Sequence, residues 1–177
     1  DIAVHALKDM PAMETDGLSL NFFLKRNDPR DVFISRDKIK LRDLKSKSII
    51  GTSSFRREFQ IKRLKKDISC KLIRGNVDTR LKKLKEGSYD AIILSSAGIK
   101  SLQLEKEITQ IFTTDAIIPS AGQGIISIQC KKNETEIIDL LNKINDEDTY
   151  KCAVAERDVL KVLEGDCETA IGVHALL

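Results

Sequence analysis

Two stretches of this chain set paired arginines among glycine and small hydroxyl residues: Gly51-Thr52-Ser53-Ser54-Phe55-Arg56-Arg57 and Arg74-Gly75-Asn76-Val77-Asp78-Thr79-Arg80. Each reads as a strand end passing into a helix entry, where backbone N–H groups and hydroxyls converge on a positive helix end. Adjacent guanidiniums repel unless an anion lies between them, and their planar forks hold a carboxylate or phosphate at two points. Arg56, Arg57, Arg74 and Arg80 facing one crevice imply a ligand with several negative charges. Whether those charges are carboxylates or phosphates is open at this level. The same patterns also describe capped helices with arginines in solvent.

Two further clusters carry chemical groups. His5-Ala6-Leu7-Lys8-Asp9-Met10-Pro11 places a lysine and an aspartate together at the end of an apolar element, and Glu164-Gly165-Asp166-Cys167 puts a thiol on a turn after a helix. On composition alone the first is an ordinary solvated turn and the second a structural cysteine. The four cysteines (Cys70, Cys130, Cys152, Cys167) are scattered, and His5 and His174 lie near opposite ends. No pair has metal-ligand spacing, so no zinc site is expected. Sparse cysteines in a lysine-rich domain fit a reducing compartment better than two disulfides.

The elements that must position these groups follow from the apolar pattern. Ile2 to Val4 and Leu18 to Leu24 read as strands, and Asn27-Asp28-Pro29-Arg30-Asp31 as a turn cluster where the chain crosses between domains. From Ser48 the pattern alternates: a strand ending at Gly51, a helix Phe55 to Leu64 with apolar Phe55, Phe59 and Leu64, a strand Cys70 to Ile73, a helix Thr79 to Glu86 capped by Gly87, and a strand Ala91 to Leu94. Strands alternating with helices imply a parallel sheet with its ligand at the carboxyl ends of the strands. Pro119 to Gly124 is a second hinge-like cluster. A strand Ile125 to Cys130 and helices Glu134 to Ile144 and Tyr150 to Leu163 follow. Asp1 falls inside an apolar run, so the chain is expected to be a fragment.

Composition excludes several classes. The 177 residues carry a formal charge of only +3, with 41% hydrophobic and 32% charged residues, an ordinary globular mixture. No run approaches the roughly 18 apolar residues of a membrane span. Aromatic residues are 5% with no Trp, which argues against an RNA-stacking module.

Val4-His5-Ala6-Leu7-Lys8-Asp9-Met10-Pro11 resembles the VHSLKDVP block of the porphobilinogen deaminase (hydroxymethylbilane synthase) family, and the two arginine motifs resemble its GTSSLRR and RGNVxTRL blocks. Tyr89 to Leu94, Ala97-Gly98, Pro119-Ser120-Ala121-Gly122-Gln123-Gly124, Ala155-Glu156-Arg157 and Leu163 to Cys167 follow in the family's order.

The resemblance implies a transferase of tetrapyrrole (heme) biosynthesis. Such an enzyme joins four porphobilinogen units head to tail with loss of ammonia and releases hydroxymethylbilane. It implies a dipyrromethane cofactor in thioether linkage to Cys167, with Asp9 as catalytic acid and Lys8 beside it. Each pyrrole carries an acetate and a propionate, so the resemblance assigns the cofactor's carboxylates to Arg56, Arg57, Arg74 and Arg80. Thr52, Ser54, Gly75 and Gln123 are assigned as hydrogen-bonding neighbours. The implied fold is α/β: periplasmic-binding-protein-like domains 1 (residues 1–24 and 125–145) and 2 (30–118), joined by two hinge crossings, plus the start of a small α+β third domain (147–177). The expected partners are porphobilinogen and the growing oligopyrrole, not nucleic acid or membrane. The expected state is a monomer in the cytoplasm or, alternatively, a plastid.

The family has further residues before and after this span, so the fragment alone is expected to be inactive. Departures from the family pattern are Ala6 for Ser, Asp166 for Gly, Glu168-Thr169-Ala170 for Gln-Val-Pro, and Ser101 where arginine is common. Asp166 brings negative charge near the thiol and tends to raise its pKa. The rival reading is a non-enzymatic anion-binding protein of periplasmic-binding-like fold.

Overall fold

The structure, a computed structural model, describes residues 2–165 and 169–177. The chain divides into two compact units, one formed by Asp1–Pro29 with Ser120–Leu177 and the other by Arg30–Pro119. Two connections therefore join them, at Pro29/Arg30 and at Pro119/Ser120.

The first unit is built on strands β1 (Ile2–Ala6) and β2 (Leu18–Phe23), which flank a strand from the second half of the chain, Ile126–Lys131. Both pairings are antiparallel, with Val4 opposite Ile128 and a register shift between Ser19 and Phe22. Phe22 and Phe23 alternate to opposite faces, and the register shift before them puts Leu20 on the side of Phe23. Phe22 joins Ile128, Cys130 and Leu141 in one cluster, while Leu20 and Phe23 join Leu7, Ile125 and Ala153 in another. The helix Glu147–Val162 contributes Ala153 and is capped by Asp146, whose side chain accepts from the Thr149 N–H at 2.9 Å. It lies in the first unit.

The second unit runs β3 (Asp31–Ser35), β4 (Ile49–Gly51), α1 (Phe55–Leu64), β5 (Ser69–Lys71), α2 (Val77–Lys85), β6 (Ala91–Ser95), α3 (Ser96–Ser101) and β7 (Gln110–Ile111), with sheet order β5-β4-β6-β3-β7. The strand in the first unit is then β8 (Ile126–Lys131), followed by α4 (Thr135–Asn142) and α5 (Glu147–Val162). Pairs β4–β5 and β4–β6 are parallel, but β3 runs antiparallel to both β6 and β7. The sheet is therefore mixed, not wholly parallel as the alternating pattern implied. Only the segments carrying α1 and α2 supply the long crossovers a parallel pair needs. Its two faces bury separate cores, Phe33, Ile50, Ile61 and Ile93 on one and Val32, Ile34, Ile73, Leu81 and Ile92 on the other.

Helix α1 has the expected bounds and the opposite orientation. Phe55, Phe59 and Leu64, the residues that gave it a helical apolar spacing, are 56%, 69% and 46% exposed, while Arg56, Arg57 and Ile61 are buried. Local hydrophobicity chose the wrong face because a buried carboxylate, Asp31, receives the two arginines.

Candidate functional site

Asp31 is fully buried at the start of β3. Arg56 Nη2 donates to its Oδ2 at 2.9 Å and Arg57 Nη2 to its Oδ1 at 2.7 Å. Arg56 is 4% exposed and Arg57 8%. The other end of Arg56, Nη1, donates to the Ile118 carbonyl, while its Nε is buried with no hydrogen-bond partner. Burial, the dominant effect, lowers the Arg56 pKa. Asp31 opposes that shift and the neighbouring charge of Arg57 adds to it.

The turn that delivers these arginines is held by its own small residues. Thr52 is buried, and its N–H donates to the Lys71 carbonyl at 3.0 Å. Its hydroxyl accepts from the Ser54 N–H at 3.2 Å. Ser54 caps α1 by accepting from the Arg57 N–H at 3.4 Å.

At the neighbouring strand end Asn76 caps α2 by accepting from the Thr79 N–H at 2.9 Å. Gly75 sits at φ +117°, and a Cβ there would meet the Thr79 side chain at 2.6 Å, so only glycine fits. Arg80 is half-buried and donates Nε to the Gly75 carbonyl at 2.7 Å. Its pKa is lowered by burial and then by the charge of Arg57, so the two motifs sense each other electrostatically. Arg74 is exposed, and its carbonyl accepts from Lys83 Nζ at 2.9 Å.

The remaining expected residues lie in the first unit. Asp9 ends a 3₁₀ turn, Leu7–Asp9, and is exposed; Lys8 is partly buried. The turn is anchored by buried Leu7, whose N–H donates to the Ile125 carbonyl at 3.0 Å, and by Arg157, whose Nη2 donates to the Pro11 and Ala12 carbonyls at 2.7 and 3.1 Å. Gln123 is fully buried, its amide nitrogen donating to the Pro29 carbonyl and its amide oxygen accepting from the Ser120 hydroxyl at 3.4 Å. Cys167, with Asp166 and Glu168, lies outside the described residues.

The structure thus brings together Arg56 and Arg57, with Arg80 close enough to be felt. Asp31 was not singled out from sequence as a site residue. Its signal lay in the turn cluster ending Pro29-Arg30-Asp31, where a carboxylate opens a buried strand. Among the described residues no cluster of His, Cys, Asp or Glu could hold a metal, and no helix is long and apolar enough to cross a membrane.

Residues 1–139 match the family model described as porphobilinogen deaminase, dipyromethane cofactor binding domain. Proteins named porphobilinogen deaminase from Bacillus mycoides and Francisella philomiragia are each 44% identical to the chain, covering all of it and 58% and 59% of their own lengths. One from Staphylococcus carnosus is 42% identical over the whole chain and 58% of its length. The chain therefore spans a little under three fifths of these relatives. Among solved structures, a YaeC-family lipoprotein from Enterococcus faecalis superposes with a TM-score of 0.49 at 15% identity, over 85% of this chain and 69% of its own. On the family match and these identities, the chain belongs to the porphobilinogen deaminase family.

Proposed function

We propose that this chain is the part of a porphobilinogen deaminase that holds the primer and the growing pyrrole chain. The observation that carries this is the buried Arg56–Asp31–Arg57 cluster. Two guanidiniums converge on one carboxylate out of water, and Arg80 lies near enough to sense the charge of Arg57. Buried guanidiniums are costly unless anions answer them.

A dipyrromethane, with its four carboxylates, suits that donor set. Cys167 would hold it by a thioether, and Arg56, Arg57, Arg74 and Arg80 would meet its carboxylates, with Thr52, Ser54, Gly75 and Gln123 as neighbours. The buried Arg56 Nε with no partner is one donor to which such a ligand could answer. When bound, the group supplies the free pyrrole end to which four porphobilinogen units are added head to tail, ammonia leaving at each addition, before hydroxymethylbilane is released.

Asp9 suits the acid–base work because its backbone is fixed by Leu7 and Arg157 while its carboxylate is exposed. It would hold a proton near the departing amine and accept hydrogen bonds from pyrrole N–H groups as positive charge develops. Lys8 would bind substrate carboxylate. We place residues 147–177 at the opening of a third domain in a longer polypeptide, monomeric and cytoplasmic, and the 177 residues alone below the threshold for catalysis.

The test is intact mass and peptide mapping of a full-length protein containing this chain, together with turnover of Asp9→Asn. A covalent addition mapped to Cys167 and a fall in kcat of about 10²–10⁴ are expected. An unmodified thiol together with no turnover of porphobilinogen would overturn the reading in favour of a simple anion-binding protein.

A further inference from the structure

The Asp31 carboxylate does more than neutralise its neighbours. It opens β3 directly after the first connection between units, and both of its oxygens are taken by arginine Nη2 atoms at 2.9 and 2.7 Å. Arg56 extends from there to the second connection, since its Nη1 donates to the carbonyl of Ile118, the residue before Pro119. Gln60 grips the backbone of the same residue twice, donating to the Ile118 carbonyl at 3.0 Å and accepting from its N–H at 2.8 Å. Both terminal nitrogens of Arg56 are therefore spent on the protein itself. A carboxylate arriving at that fork must displace Asp31 or share with it.

We propose that Asp31 is a positioning residue, an internal counter-ion that holds the forks of Arg56 and Arg57 until a bound ligand's carboxylates share them. This rests on the reading of the site as a cradle for a multiply carboxylated pyrrole chain. Without Asp31 and without ligand, the two adjacent buried guanidiniums lose the carboxylate that both of them hold. With ligand, part of the missing negative charge is restored. Neutralising Asp31 therefore harms the ligand-free protein more than the loaded one, because the ligand's carboxylates bind the Asp31→Asn native state more tightly than the unmutated one and stabilise it more. A purely structural ion pair would cost the same in both.

The experiment compares thermal unfolding of the full-length protein in two backgrounds, native Cys167 carrying its covalent group and Cys167→Ser without it. In each, Asp31 is set against Asp31→Asn. A midpoint loss of roughly 10 °C is expected without the group, and less than half of that with it. Folding of Asp31→Asn only in the loaded background is the same result in stronger form. Equal losses, or none, would overturn the proposal. Should neither Asp31→Asn form fold, Asp31→Glu, which keeps the charge and shifts the oxygens, carries the same comparison. Intact mass separates the two ideas. If native Cys167 carries nothing, the pyrrole reading itself fails, and Asp31 is judged by citrate titration of the Cys167→Ser protein. There Asp31→Asn should bind citrate about tenfold more tightly, and unchanged affinity would refute the counter-ion role.

Discussion

Arg26 holds Glu156 at two points, Nη1 to Oε1 at 2.6 Å and Nη2 to Oε2 at 3.2 Å, and that carboxylate is fully buried. Glu156 also accepts from the Gly122 N–H at 2.7 Å and the Ala175 N–H at 2.9 Å, with His174 Nδ1 at 3.3 Å. Arg26 lies just before the first connection and Gly122 just after the second. Glu156, from α5, therefore ties the first unit's ends of both connections, as Arg56 does for the second unit's ends. Removing one partner of a buried pair strands the other charge. Arg26→Ala should lower unfolding free energy by about 3–5 kcal/mol, read as a shift in urea midpoint at unchanged slope. A loss below about 1 kcal/mol, the range of an exposed pair, would contradict the clamp.

Two glycines separate backbone strain from steric clash. Gly17 and Gly124 both sit at positive φ, +75° and +84°, but a Cβ on Gly17 would meet nothing within 4 Å, whereas one on Gly124 would meet the Asn27 carbonyl oxygen at 2.7 Å. Gly17→Ala should cost about 1 kcal/mol for the left-handed conformation alone. Gly124→Ala should cost clearly more, because backbone cannot step aside as a side chain can. Equal midpoints for the two variants in chemical denaturation would count against this account of the second connection.

What was legible in the sequence follows from which signals are local. The bounds of α1 and the end of α2 could be read because Ser54 is a cap and Gly87, at φ +83°, a terminator, each acting within one turn; α2 starts at Val77, two residues before the expected Thr79, because Asn76 is its cap. The arginine motifs were legible as charged strand ends; Arg56 and Arg57 converge on Asp31, Arg80 senses the charge of Arg57, and Arg74 is exposed. The direction of β3 and the two-residue β7 were not, since pairing partners far apart in sequence decide them. Asp31 was hidden for the same reason: only the fold sets its carboxylate against arginines 25 and 26 positions away. The 1–24, 30–118, 125–145 and 147–177 segmentation came from family resemblance, not from periodicity.

Cys70 offers a chemical probe of the second unit. Burial, with a smaller contribution from Glu58 and against the pull of Lys62, pushes its thiol up to about 11. A thiol with a raised pKa keeps its proton through the ordinary range. At pH 8 it presents roughly a hundredfold fewer thiolates than one at 9.0, the unperturbed value. Alkylation of the folded protein by iodoacetamide, followed by peptide mapping, should therefore find Cys70 slow at pH 8, with a rate that keeps rising up to about pH 11. The sign for stability follows. The folded state binds the proton more tightly, so this contribution is intact below the unfolded thiol's pKa and is lost as pH climbs from there through the folded value. A rate that levels off near pH 9 would mean the thiol is not shielded as described.

The orientation of α1 is the sharpest point at which hydrophobicity and structure disagree, and it is testable without the ligand. Phe59 is 69% exposed, while Ile61, two residues on, is fully buried against Phe33, Ile50 and Ile93. If the helix instead turned its phenylalanines inward, Phe59→Ala would remove a large core side chain and cost about 3–5 kcal/mol. In the orientation described, Phe59→Ala should stay within about 0.5 kcal/mol, and Ile61→Ala should cost about 2–5 kcal/mol through the cavity it leaves. The order of the two costs decides the face. It also decides whether Arg56 and Arg57 can reach Asp31 at all, because one helix cannot bury both its phenylalanine side and its arginine side against the same sheet.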